Sequence, residues 1–156
     1  MRLIVAAAGR WKTGGKSGPE RDLFEHYARR ITFPFELREI EEKKPLKPQA
    51  LKKREAELLL AQAPEGAVIV ALDETGQALT SAAFADKLGG WQMDGTKHVV
   101  FMIGGAEGLD DTVRKKARLV ISLGAMTWPH LLVRGMLAEQ VYRAQSILSN
   151  HPYHRG

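Results

Sequence analysis

The chain ends in His151-Pro152-Tyr153-His154-Arg155-Gly156. Two imidazoles, a phenol and a guanidinium surround a rigid proline, whereas a disordered tail is usually polar and low in complexity. The segment directly follows a long apolar-periodic stretch, which implies that it is held in place. Side chains able to take, give or orient a proton are thus presented at the very end of the chain, as in a site completed by a C-terminus. The same residue types also suit a capped, surface-lying tail with two solvated histidines, because titratable groups occur in structural networks too. His151 and His154 could ligate a metal, but no third or fourth ligand stands at a convincing spacing, so no metal is expected.

Three loops carry the other chemical signals. Gly9-Arg-Trp-Lys-Thr-Gly-Gly-Lys16-Ser17 lies between a strand pattern and a helix pattern, as a phosphate-binding loop does. That motif needs four residues between its first glycine and Gly-Lys-Ser; here the first position falls on Arg10, and Gly9 is one residue too far. The stretch reads better as a flexible basic loop whose Trp11 could stack on a base. Gly104-Gly105-Ala106-Glu107-Gly108 follows a strand and opens a helix, but it lacks the spacing of a dinucleotide fingerprint. It suits either a close backbone approach to a ligand or a tight turn. Leu123-Gly124-Ala125-Met126-Thr127-Trp128 precedes Pro129, which biases Trp128 away from helical geometry. Such a loop leaves backbone amides and carbonyls free to hold a flat, polar-edged group such as adenine, or is an ordinary strand-to-helix connection. Glu139 and Arg143 stand four apart on a helix and can pair.

The elements that position these segments alternate. Leu3–Ala8, Ala67–Leu72, His98–Ile103 and Leu119–Leu123 read as buried strands, and the alternating Phe35–Ile40 as a less buried or edge strand. Helices are predicted over Pro19–Arg30, Pro48–Ala63, Thr80 or Ser81 to Trp91, Asp110–Ala117 and His130–Ser149. Asp73-Glu74-Thr75-Gly76 reads as a turn. Apolar strands between amphipathic helices predict an α/β fold with a mainly parallel sheet and helices on both faces. Ligands in such sheets bind outside the carboxyl ends of the strands. The loops after Leu72, Ile103 and Ile121–Leu123 occupy that position.

A chain of 156 residues with 44% hydrophobic and 26% charged residues is expected to form a single domain, 1–156, with a sizeable core. No apolar run approaches the ~20 residues of a membrane span, and no signal-peptide pattern follows Leu3–Ala8. The absence of cysteine excludes disulfides, zinc-thiolate sites and thiol nucleophiles and makes a cytoplasmic location the default. The net charge is +5 and is uneven. Residues 1–66 hold 14 Lys and Arg against 10 Asp and Glu, whereas residues 67–156 hold 9 against 8. Basic groups cluster at Arg2, Arg10, Lys12 and Lys16 and again between Lys43 and Arg54, which would steer a polyanion or merely aid solubility.

Taken in order, Ile103–Leu109, Leu123–His130, the helix Leu132-Val-Arg-Gly-Met-Leu-Ala-Glu-Gln-Val-Tyr-Arg-Ala144 and Asn150-His-Pro-Tyr-His-Arg155 resemble the ribosomal RNA large subunit methyltransferase H family. These are small bacterial members of the SPOUT superfamily. The resemblance runs over essentially the whole chain, including Leu3–Gly9 and Ala71-Leu72-Asp73. It departs at Ala106, where proline is expected. It implies a C-terminal deep trefoil knot, which periodicity would never suggest. It also implies an S-adenosylmethionine cofactor, a homodimer and N3-methylation of a pseudouridine in a 23S rRNA stem-loop on the assembled ribosome. By position, the cofactor residues are Leu72, Gly104, Leu123, Gly124, Ala125, Met126, Thr127 and Trp128. Within this reading His154 handles the proton, Tyr153 stacks on or hydrogen-bonds the base, and Arg155 holds a phosphate or developing negative charge. Arg10, Trp11, Lys12 and Lys16 grip RNA. A non-catalytic ribosome or rRNA-binding protein with the same fold is the alternative, distinguished by its lack of cofactor affinity.

Overall fold

The computed structural model describes residues 1–12 and 18–156. Its elements are β1 (Arg2–Ala8), α1 (Pro19–Ala28), β2 (Phe35–Ile40), α2 (Pro48–Leu60), β3 (Val68–Gln77), α3 (Ser81–Met93), β4 (His98–Ile103), α4 (Asp111–Lys116), β5 (Leu119–Ile121) and α5 (His130–Leu148). The strands form one sheet in the order β2-β1-β4-β3-β5, every pair parallel. The alternating segment Phe35–Ile40 lies at the sheet edge, as its pattern predicts.

Side chains alternate across a strand, and in β1 this divides the core. Leu3, Val5 and Ala7 point into a cluster with Phe84, Leu88 and Trp91 of α3 and Leu137, Val141 and Ala144 of α5. Ile4, Ala6 and Ala8 point into a second cluster with Ala56 and Leu59 of α2 and Val113 of α4. Helices therefore cover both faces of the parallel sheet. Helix starts follow local chemistry. Pro19 opens α1, Thr80 accepts from the Ala83 amide at 3.1 Å, and Asp110 accepts from the Thr112 amide at 3.1 Å, each satisfying an otherwise free donor or lacking one.

The expected turn at Asp73–Gly76 is instead part of a longer strand. Ile121 pairs with Leu72 and again with Gln77, and the Ser122 amide donates to the Gln77 carbonyl at 2.9 Å. Residues 73–77 thus arch around the end of β5. At Gly76 a Cβ would lie 2.7 Å from the backbone of Val120 and Ile121, so only glycine permits the crossing. β5 is correspondingly shorter than predicted, ending at Ile121. The chain leaves this edge and returns through α5, which packs on α1 and α3.

Candidate active site

β4, β3 and β5 are neighbours, and their ends are level: Leu72 is in register with both Ile103 and Ile121. The loops that follow therefore meet. Leu72, Gly104, Leu123, Gly124, Met126, Thr127 and Trp128 line a single cleft of about 770 Å³, within the range of small-molecule sites. Of the eight predicted cofactor residues, Ala125 alone stays outside the lining and is exposed.

Two devices shape the second loop. Gly124 adopts φ +118°, a conformation that costs glycine little. The Trp128 Nε1–H donates to the Leu123 carbonyl at 3.3 Å, which ties the two ends of the loop together. Among the described residues, the backbone amides of Ala125 to Trp128 find no protein acceptor, and Met126 and Trp128 are exposed. The glycine-rich loop is tighter. A Cβ on Gly104 would lie 2.5 Å from the Gly108 carbonyl carbon, and Gly108 has φ +80°.

The rim carries charge. Burial alone would raise the Asp73 pKa, but the hydroxyl and amide of Thr75 and the Arg114 guanidinium outweigh it and hold the carboxyl below its ordinary value. Arg114 reaches Asp73 at 3.3 Å and the Leu109 carbonyl at 2.9 Å, joining the glycine-rich loop to β3. Thr127 donates to Glu74 at 3.3 Å. His130, at the start of α5, also lines the cleft. Burial, then the nearby Arg134 charge, lowers its pKa and keeps the imidazole neutral near pH 7.

The tail docks elsewhere on α5. Tyr153 donates its hydroxyl to Glu139 at 3.0 Å, stands edge-on to Tyr142 at 4.7 Å between ring centroids, and lies under the Arg143 guanidinium at 4.9 Å. Arg143 ion-pairs with Glu139 and reaches His154 Nδ1 at 3.2 Å. Burial, then hydrogen bonds involving Tyr27 and Glu139, raises the Tyr153 pKa far above that of a free phenol. His154 is half-buried, whereas Arg155 is exposed. The cleft touches α5 at His130 and Val133, the tail at Glu139 and Arg143; Val133 and Arg143 are roughly 15 Å apart along the helix axis. Within one copy, the predicted catalytic and cofactor residues are therefore two separate groups.

Of the predicted RNA-gripping residues, Lys16 lies outside the described ones. Lys12 is exposed, and Arg10 pairs with Glu41 at 3.1 Å. One face of Trp11 is occupied: the Arg134 guanidinium covers its ring at 4.4 Å, and its amide donates to Glu39 at 2.8 Å. Arg134 is fully buried and donates to Glu39 at 2.8 Å and to the Gly9 carbonyl at 2.9 Å. It thus pins the start of the basic loop to α5.

Sequence reasoning missed the roles of Arg134 and His130. The signal for Arg134 was a charged residue in line with Leu137, Ala138 and Val141, the buried stripe of α5. His130 gave no such signal; its place beside Gly9 arises only in the fold. Among the described residues no group of three or more His, Cys, Asp or Glu side chains could hold a metal ion. Among the described residues no helix is long and apolar enough to cross a membrane.

Comparison with known proteins shows the family to which the chain belongs. The family model described as "Predicted SPOUT methyltransferase" matches residues 1–154. The ribosomal RNA large subunit methyltransferase H of Paramagnetospirillum magneticum is 56% identical over 155 residues, covering 99% of each chain. The protein of the same name from Rhodospirillum centenum is 54% identical over the same share of each. Among solved structures, the SpoU methyltransferase AviRb of Streptomyces viridochromogenes, in complex with AdoMet, aligns over 92% of this chain and 58% of its own, at 14% identity and a TM-score of 0.49. With near-complete coverage and more than half of its residues shared, this chain belongs to the ribosomal RNA large subunit methyltransferase H family of SPOUT methyltransferases.

Proposed function

We propose that this protein transfers a methyl group from S-adenosylmethionine to N3 of a pseudouridine in 23S rRNA of the assembled ribosome, working as a homodimer. The observation that carries the reading is the convergence of the loops after β3, β4 and β5 on one cleft. The relatives' shared name supplies the substrate class.

The cleft suits the cofactor by its chemistry. Unpaired backbone amides at Ala125 to Trp128 offer donors to the edge of a purine, and Leu72, Ile103 and Leu123 offer an apolar wall. The carboxylates of Asp73 and Glu74 at the rim suit a ligand carrying positive charge. When bound, the sulfonium supplies a methyl group already activated for transfer. The protein's task is then to bring the target nitrogen into line, which contributes several kcal/mol on its own.

That task falls to Tyr153, His154 and Arg155. Tyr153, held neutral, stacks on or hydrogen-bonds the target base, and Arg155 meets a phosphate or a base oxygen. Because the tail sits far from the cleft of its own copy, the working site pairs the tail of one copy with the cleft of a second. Arg10 and Lys12, with the lysines between Lys43 and Lys53, form the RNA-facing charge; among the described residues no lysine is in an ion pair. The same reading includes a trefoil knot at the C-terminal end of the chain.

The test is label transfer from S-adenosylmethionine to ribosomes lacking the modification. His154→Ala and Tyr153→Phe are expected to lower the rate, by about 100-fold or more for the histidine, with cofactor affinity unchanged by calorimetry. Full rates in both variants would remove the tail from the mechanism.

A further inference from the structure

The contact between Arg143 and the tail determines what His154 can do. A guanidinium has only donors. Arg143 Nη1 lies 3.2 Å from His154 Nδ1, so Nδ1 must accept, and an imidazole that accepts at Nδ1 carries its single proton on Nε2. Arg143 is itself fixed. Its Nε donates to Glu139 Oε1 at 3.0 Å, and Glu139 takes the Tyr153 hydroxyl at 3.0 Å. One carboxylate therefore holds the phenol directly and the imidazole through Arg143. The tail reaches the surface with both side chains oriented and with a defined histidine tautomer.

We propose that Arg143 is a positioning residue that fixes His154 as a hydrogen-bond donor through Nε2, directed at a carbonyl oxygen of the target base, instead of the proton acceptor its residue type suggests. This rests on the reading of the tail as part of the methyltransferase site. The chemistry is consistent with a donor. An imide N3–H lies between two carbonyls, and when its proton leaves to water the negative charge spreads onto their oxygens. A neutral N–H donor fixed there favours the anion in the way an oxyanion hole does. N3 then forms its bond to the methyl carbon as the sulfur–methyl bond breaks and the sulfur keeps the electron pair. No oxidant or further reactant is required.

The experiment is long-range ¹H–¹⁵N correlation spectroscopy of the histidine rings in the full-length ¹⁵N-labelled protein near pH 7.5. His154 is assigned by difference from His154→Gln, and label-transfer kinetics are measured alongside. The wild type is expected to show the Nε2–H tautomer at His154. Arg143→Met should convert it to a mixture of tautomers and lower kcat at least several-fold while leaving cofactor affinity unchanged. Arg143→Lys, which can still donate to Nδ1, should restore much of both. An Nδ1–H tautomer in the wild type, or an unchanged tautomer in Arg143→Met, would overturn the proposal. If His154→Ala retains the full rate, the tail reading fails whatever the tautomer. If that variant is impaired and the tautomer is Nδ1–H, only the present proposal fails.

Discussion

At the scale of single residues, the most consequential side chain outside the tail is Arg134. It is buried with its Nε unpartnered among the described residues, and it joins α5 to the ends of β1 and β2 through Gly9 and Glu39. Removing one partner of a buried pair strands the other. Arg134→Ala is therefore expected to cost about 3–5 kcal/mol in urea unfolding and to release Trp11 from its guanidinium cover, visible as a change in tryptophan fluorescence. His130 provides a pH signature. Its folded pKa is below the ordinary 6.5, so the unfolded chain binds a proton before the folded one does. Its contribution is intact above 6.5 and is lost as the pH falls toward the lowered folded value. The urea midpoint of wild type should fall between pH 7.5 and 5.5 by more than that of His130→Gln. An equal fall in both would place the titration elsewhere.

At the scale of elements, much of the architecture was legible because it is local. Runs such as LIVAAA and HVVFMI are too apolar for an exposed strand and too short for a helix, and Phe35–Ile40 alternates as an edge strand does. The course of β3 beyond Leu72 was not legible. Asp73-Glu74-Thr75-Gly76 has the composition of a turn, and only pairing with Ile121, distant in sequence, draws it into the sheet. The place of Arg134 on the apolar stripe of α5 was legible, but its partners Glu39 and Trp11 are distant in sequence and no local pattern reports them. The glycines separate the two kinds of constraint. Gly76→Ala drives a Cβ into the backbone of β5 at 2.7 Å and should sharply lower the melting temperature or prevent folding. Gly90→Ala, inside α3 with nothing within 4 Å of the new carbon, should stabilise by about 0.5–1 kcal/mol. Similar melting temperatures for the two variants would contradict the crossing of 73–77 over β5.

At the scale of the whole molecule, the sheet brings three strand ends level, and α5 carries cleft-lining residues at one end and the docked tail further along. The cleft-forming loops were legible because they follow the carboxyl ends of buried parallel strands, where ligands bind in such sheets; the residues within them came from the family resemblance. The separation of these loops from the tail was not legible, since it depends on how His151–Gly156 folds back along α5. In the proposed homodimer, that separation is what gives the second copy its role. The account stands most directly on the identity of the methylated nucleoside. Purified protein is incubated with S-adenosylmethionine labelled in its methyl group and with ribosomes lacking the modification. The rRNA is then digested and its labelled nucleosides separated. The account predicts label on N3 of one pseudouridine in 23S rRNA. Label on another nucleoside would contradict the substrate assignment, and no label together with no cofactor binding would contradict the methyltransferase reading itself.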